Sequence, residues 1–271
     1  MFQHYIVTRF NLKMGWTNDK RGVALLGETW MKDRFRLFLK YCVPSVVNQV
    51  NTNFQWLVYF DTDTDAFYKN KIEKLSFKFP QFKARYVDHH DSFLTDLETY
   101  IRAEQEPEQT HLITTRLDSD DLLHEGAVHK IQSLFDQQNC QVINFQTGIR
   151  FQLEPTIRLT QYEWKTGPFL SVIEKLDSTK KILTGYAQPH DCYCKDYDTL
   201  QITERPYWTQ LIHDANHSST LRGTSLSDLH RLRPFQIDIT SLQLSYRSIF
   251  KDKCFDILKR VTPEIIKTKL R

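Results

Sequence analysis

The chain has 271 residues, of which 40% are hydrophobic and 13% aromatic, with only 8 Gly and 9 Pro. That is enough apolar material for a sizeable core, and it excludes a linker-rich or low-complexity protein. The net charge of +3 is too small for nucleic-acid binding as the main task, and no stretch approaches the ~20 apolar residues that span a bilayer.

In chain order, His4 to Phe10 reads as a strand. A helix is expected from about Thr29 to Asn48, with Met31, Phe35, Phe38, Cys42 and Val46 on one face and a kink or new turn at Pro44. Phe54 to Phe60 is a near-continuous apolar run, as a strand buried on both faces requires. Asp65 to Phe77 is helical in pattern, and Phe82 to Val87 is a short strand. Ser92 to Glu104 is a helix with Asp91 as its N-cap. His111 to Leu117 is the next strand, and Glu125 to Gln137 a helix with Val128, Ile131, Leu134 and Phe135 facing inward. This alternation predicts a mostly parallel sheet with helices on both faces.

Past Gln141 the pattern changes. Gln141 to Phe145, Gly148 to Leu153 and Thr156 to Leu159 look like strands in hairpin-like order, Gln161 to Ser178 is irregular, and Glu204 to Asn216 is expected to be a helix. No repeat or clean linker appears, so one mixed α/β domain over 1–271 is expected: a nucleotide-binding half at 1–122, a smaller mixed or antiparallel acceptor-side half at 123–225, and a basic helical tail at 226–271. Lys251 to Arg271 carries seven basic and three acidic residues, which leaves the rest of the chain near −1. There Cys254, Ile257, Leu258, Val261 and Ile265 follow helical spacing, either as a terminal helix docked on the domain or as a peripheral contact with an anionic membrane. Five cysteines without a CxxC pair read as reduced, intracellular thiols, and the N-terminus shows no signal-peptide pattern.

The most informative stretch ends the His111 strand with three carboxylates, Asp118, Asp120 and Asp121. Like charges crowded on one turn are unfavourable unless a cation or water offsets them. Strand exits are where α/β sheets bind ligands, and Mg²⁺ typically takes one or two carboxylates and completes its shell with phosphate oxygens and water. A divalent cation holding a diphosphate suits the arrangement.

Thr115-Arg-Leu-Asp-Ser-Asp-Asp-Leu-Leu-His-Glu-Gly-Ala-Val128 resembles the D-x-D region of A-type-fold (GT-A) glycosyltransferases. Phe2 to Asn11, Tyr41 to Val46, Phe54 to Leu57 and Arg205 to Asn216 resemble, in that order, the bacterial rhamnosyltransferase family over most of residues 2 to 220. The resemblance implies a GT-A-like fold and transfer of a sugar, rhamnose by the family's name, from a nucleotide-diphosphate donor to a glycan or lipid-linked glycan acceptor. It further implies Mn²⁺ or Mg²⁺, a role in surface polysaccharide synthesis, and a cytoplasmic setting at or near the inner membrane face; an inverting reaction is expected, and if configuration is instead retained no base is required.

On that resemblance Asp120 is the direct metal ligand, Asp118 contacts ribose or a metal-bound water, and Asp121 does either or caps the next helix. Arg9 is placed to bind diphosphate, Asp61 to contact base or ribose, and Arg116 to touch phosphate or pair with the aspartates; Asp63 and Asp65 read as turn and cap residues. His213 resembles the C-terminal histidine that many such enzymes bring to the metal. Trp208, Gln210 and Asn216 are acceptor-side candidates on the expected helix, where Gln210, His213 and His217 form one stripe. Asp191, in Pro189-His190-Asp191, is the first choice of base for the acceptor hydroxyl, ahead of His190, Glu174 and Glu204. The alternatives are a nucleotidyltransferase, against which the absence of glycine in Val7 to Leu12 counts, a non-catalytic nucleotide-binding module, and an acidic surface loop on an interaction protein.

Overall fold

Two sheets organise the chain in the computed structural model, which describes residues 1–13, 18, 22–88, 90–214, 216, 219–245 and 250. In chain order the elements are β1 (Phe2–Arg9), α1 (Glu28–Leu37), a π-type turn (Phe38–Cys42), α2 (Val43–Val47), β2 (Gln55–Asp61), α3 (Ala66–Lys78), β3 (Phe82–Val87), α4 (Phe93–Ala103), β4 (His111–Arg116), β5 (Leu122–Leu123) and α5 (Ala127–Ser133). Then come β6 (Cys140–Phe145), β7 (Thr147–Gln152), β8 (Arg158–Glu163), β9 (Leu170–Lys175), α6 (His190–Asp196), β10 (Thr199–Ile202), β11 (Trp208–Ile212), β12 (Thr224–Leu226) and a 3₁₀ helix (Leu229–Phe235).

The first sheet has the order β10-β6-β9-β4-β1-β2-β3. All its pairings are parallel except those of β9, which runs against β4 and β6. Helices cover both faces, as the alternating pattern predicts. Along β1 and at its exit, Ile6 and Phe10 enter the core under α1, α3 and α5, whereas Tyr5 and Val7 enter the core under α4. Along β2, Trp56, Val58 and Phe60 take the first side and Leu57 and Tyr59 the second. Burial of every residue from Trp56 to Asp61 explains the near-continuous apolar run. Pro44 opens α2, and the helix expected from Thr29 is interrupted by the π-type turn just before it. Asp65 caps α3 by accepting from Phe67 N at 2.8 Å, while α4 starts after Ser92 with no side-chain cap.

The second sheet, in the order β12-β8-β7-β11-β5, is mixed. It meets the first at Trp208, whose ring stacks on Phe169 at 4.3 Å and whose Nε1 donates to Phe145 O at 2.6 Å. The ring lies against Gly148, where a Cβ would come within 2.0 Å of it.

Three expectations are corrected. Residues Glu204 to Asn216 are not a helix: Trp208–Ile212 is β11, parallel to β7 and antiparallel to β5. The apolar positions 208, 211 and 212 fit a helical stripe by coincidence. Pairing on both edges decides the matter, and tertiary context overrides a weak local preference. The irregular stretch Gln161 to Ser178 contains β9, a central strand of the first sheet. Of the three strands expected in hairpin order, β6 belongs to the first sheet and only β7 and β8 pair as a hairpin.

Among the described residues no helix is long and apolar enough to cross a membrane, and Cys42, Cys140, Cys192 and Cys194 are free thiols. The stretch from Lys251 to Arg271, with Cys254 and the amphipathic tail, lies outside the described residues.

Candidate active site

The carboxylate turn sits where β4 leaves the first sheet. Leu117 N still donates to Val7 O, Asp121 N donates back to Asp118 O at 3.1 Å, and the chain then enters β5 in the second sheet. The turn is thus pinned between the two sheets. Asp120 and Asp121 are 5% and 3% exposed, and Asp118 is half-buried at the rim.

Three groups converge on Asp120 Oδ2: Arg34 Nη1 of α1 at 2.6 Å, His213 Nε2 at 3.0 Å and Asn216 Nδ2 at 3.3 Å. Arg34 also donates from Nε to Ser119 Oγ at 2.8 Å. Asn216 in turn accepts from His213 N at 2.8 Å, which fixes the end of β11. Burial alone would raise the Asp120 pKa, but Arg34 and His213 outweigh it and hold the carboxyl well below its usual range. Asp121 behaves oppositely. Burial, and then the charges of Asp120 and Asp118, push it up, although it accepts from Leu211 N at 3.2 Å.

Arg9 and Arg116 both lie against the Tyr186 ring, at 4.7 and 4.9 Å. Tyr186 is buried, and its hydroxyl donates toward Val7 O at 3.1 Å and Leu117 O at 3.3 Å, so it ties the exits of β1 and β4 together. Arg116 is 3.8 Å from Asp118, and Arg9 Nη1 is 3.2 Å from His90 Nε2. The Nε atoms of both arginines are buried with no hydrogen-bond partner among the described residues. Two guanidinia on one ring beside one rim carboxylate leave cationic capacity for an anion, and their forks suit phosphate oxygens.

Asp61, at the end of β2, is buried; its Oδ1 accepts from Asp63 N at 2.9 Å, and its backbone N donates to Asn11 Oδ1 at 3.2 Å. With Asn11, Lys13, Thr64, Phe35 and Tyr68 it lines a cavity of about 980 Å³ between α1 and α3.

The base candidates separate by position. Asp191 stands exposed in the first turn of α6. His190, beside it, donates from Nδ1 to Thr166 O at 2.6 Å, which leaves Nε2 as the lone-pair nitrogen of the neutral ring; burial, then Arg116, lowers its pKa. Glu174 is not at this edge. It faces Leu112 near the start of β4 and accepts from Leu183 N and Thr184 N at 2.9 and 3.0 Å. Glu204 is engaged by Lys130 at 3.0 Å and by the Tyr207 hydroxyl at 2.5 Å.

Two acceptor-side expectations also change. Trp208 is fully buried in the joint between the sheets and has no surface for a ligand. Gln210 lies on a strand, so it shares no helical stripe with His213; His217 is outside the described residues.

Arg34 and Tyr186 were not among the expected residues. Arg34 had a signal, since a charged side chain sits on the Trp30, Met31, Phe35 and Phe38 face of an amphipathic helix. Tyr186 had none, because its contacts join segments far apart in sequence.

The donors that could hold a divalent cation here are the Asp120 carboxylate and His213 Nε2, brought together from 93 residues apart. Among the described residues no three His, Cys, Asp or Glu side chains form a metal group. Such an ion would take two protein ligands and draw the rest from phosphate and water, as Mg²⁺ does. The pair fits that chemistry, with Arg34 sharing the carboxylate.

Residues 3–225 match the family described as putative rhamnosyl transferase. No curated protein matches the chain significantly. S. aureus TarS 1-349 in complex with UDP-GlcNAc is similar with a TM-score of 0.46 and 11% identity, over 81% of this chain and 62% of that one. S. aureus TarS gives 0.44 and 10% over 78% of this chain, which spans only 37% of it. A putative nucleotide-diphospho-sugar transferase from Desulfovibrio desulfuricans G20 gives 0.36 and 14%, over 79% of this chain and 84% of that one.

Proposed function

The chain belongs to the putative rhamnosyl transferase family, and from that premise we propose that it transfers a sugar, rhamnose by the family's name, from a nucleotide-diphosphate donor to a glycan hydroxyl. The observation that carries this reading is the exit of β4, where Asp120 meets His213 and Asp118 faces Arg116, with Arg9 and Arg116 held against Tyr186.

Arg9 and Arg116 bind the diphosphate, Asp118 the ribose, and Asp61 the base or ribose, while Asp121 supports the turn through Leu211 N. Asp120 and His213 hold Mn²⁺ or Mg²⁺, which when bound stabilises charge on the departing diphosphate as a Lewis acid. Tyr186 keeps the two guanidinia in register, so little side-chain ordering remains for donor binding. The acceptor hydroxyl attacks the anomeric carbon from the side opposite the diphosphate and gives its proton to Asp191, so configuration inverts. Asn216 orients His213 through the strand end. Surface polysaccharide assembly at the inner membrane face is the setting this chemistry suits.

The test is donor turnover. The full chain is incubated with dTDP-rhamnose, UDP-glucose or GDP-mannose, with and without Mn²⁺, and release of nucleoside diphosphate is followed. Release with at least one donor, dependent on Mn²⁺, supports the reading; no release with any of them, in the presence of glycan acceptors, counts against it.

A further inference from the structure

Arg150 lies in β7 of the second sheet and is only 5% exposed. It stacks over the Tyr162 ring at 3.8 Å and stands 5.1 Å from Trp164. Nη1 donates to Thr220 O at 2.9 Å, but Nε is buried without a hydrogen-bond partner, and no carboxylate pairs with the group among the described residues. Gln210, 7% exposed, is its register partner on β11, and Gln210 Oε1 is likewise buried and unpartnered. A buried cation without an anion is costly, and a half-satisfied amide beside it adds to the cost. Burial, the largest influence, lowers the Arg150 pKa, and Arg222 adds to it, against the opposing pull of Tyr162 and Asp121.

This cluster adjoins the candidate site. Gln210 precedes Leu211, whose N–H reaches Asp121, and Trp164 packs edge-on against His190 at 5.6 Å, next to Asp191. Aromatic faces beside polar groups suit a sugar ring, whose C–H face is apolar and whose rim is polar. The donor-side guanidinia come from the first sheet; Arg150 comes from the second.

We propose that Arg150, with Gln210 beside it and Tyr162 and Trp164 against it, forms an acceptor subsite for a sugar that carries an oxyanion, either a carboxylate or a phosphate. The inference rests on the glycosyltransferase reading. It adds that the acceptor is acidic, and that neutral sugars are disfavoured because they leave the guanidinium unpaired.

Methyl glucuronide, glucose 6-phosphate and neutral methyl glucoside are titrated into the full chain by NMR, and dTDP and UDP with Mn²⁺ are titrated separately. At least one anionic probe binds on the order of tenfold to a hundredfold more tightly than the neutral one, as expected for a charged hydrogen-bond pair. Which anion is preferred separates carboxylate from phosphate. Arg150→Gln abolishes that preference and leaves nucleotide binding unchanged. Gln210→Glu, should Arg150→Gln not fold, places a carboxylate beside the guanidinium; it abolishes the preference and raises the melting temperature. Equal binding of charged and neutral probes, or a preference that survives either variant, overturns the subsite. Loss of nucleotide binding in Arg150→Gln overturns it too and moves Arg150 to the donor side. Failure of the wild type to bind any nucleotide bears on the glycosyltransferase reading instead, because the sugar titrations report on Arg150 independently.

Discussion

Two polar clusters lie close together in the first sheet and are built on opposite principles. In the sheet interior, Gln132 donates to His4 Nδ1 at 3.0 Å, His4 Nε2 meets Thr115 Oγ1 at 2.9 Å, and Thr115 meets Ser171 Oγ at 2.7 Å. The groups are neutral, and each has a hydrogen-bond partner; burial lowers the His4 pKa to about 3 and keeps the ring uncharged. At the exit of β4 the groups are charged and out of balance. Asp121 is pushed toward its protonated form, and Arg9 and Arg116 each bury an unpartnered Nε. A fully partnered neutral network specifies a packing and needs nothing further. Buried charges that the protein does not itself satisfy are poised for a ligand, and such perturbed groups gather at functional sites.

The sharpest way to separate the clusters is to remove a group that should matter only for chemistry. Asp191→Asn should lower turnover by on the order of 10²–10⁴, with donor affinity unchanged by calorimetry; unchanged turnover would transfer the base role to His190 or remove it.

The interior cluster makes a pH prediction instead. The folded-state pKa of His4 lies below its ordinary value of 6.5. Its contribution is therefore complete above about pH 6.5 and is lost as pH falls toward 3, because the unfolded chain then takes up the proton first. Near pH 4.5 this amounts to about 2–3 kcal/mol. His4→Gln, measured by urea unfolding at pH 7 and pH 4.5, should remove most of that acid loss; an unchanged difference between the two pH values would show that His4 is not the group responsible.

Gly148→Ala tests the joint that holds β11, and with it His213, against Asp120. The added methyl meets the Trp208 ring, so a loss of about 1–3 kcal/mol is expected from overpacking. Donor binding should weaken while the acid limb set by His4 stays the same. A variant as stable as the parent would mean the ring can move aside.

The first sheet was legible because its information is local. The run Phe54 to Phe60 can only be a strand covered on both faces, and the carboxylates mark where the next strand stops. The second sheet was not. Residues 204 to 216 carry apolar positions that fit a helix as well as a strand, and what decides is pairing with β7 and β5, 60 and more positions away. For the site, Asp120 and His213 were legible as candidates, and the structure brings them to 3.0 Å. Arg34 carried a local sign, a charge on the apolar face of its helix, whereas Tyr186 and Arg150 carried none because each acts through neighbours distant in sequence.

The central claim is that the crowded carboxylates at the β4 exit are there to take a divalent cation with a nucleoside diphosphate. Thermal unfolding of the full chain and of Asp120→Ala, each with dTDP, UDP or GDP and with or without Mn²⁺, tests it directly. A ligand at about 100 times its Kd adds about 2.7 kcal/mol, so a rise of roughly 5–10 °C is expected for the wild type. That rise should require Mn²⁺ and be absent from Asp120→Ala. The same Mn²⁺-dependent rise in both proteins, or none in the wild type with any nucleotide, would contradict the account.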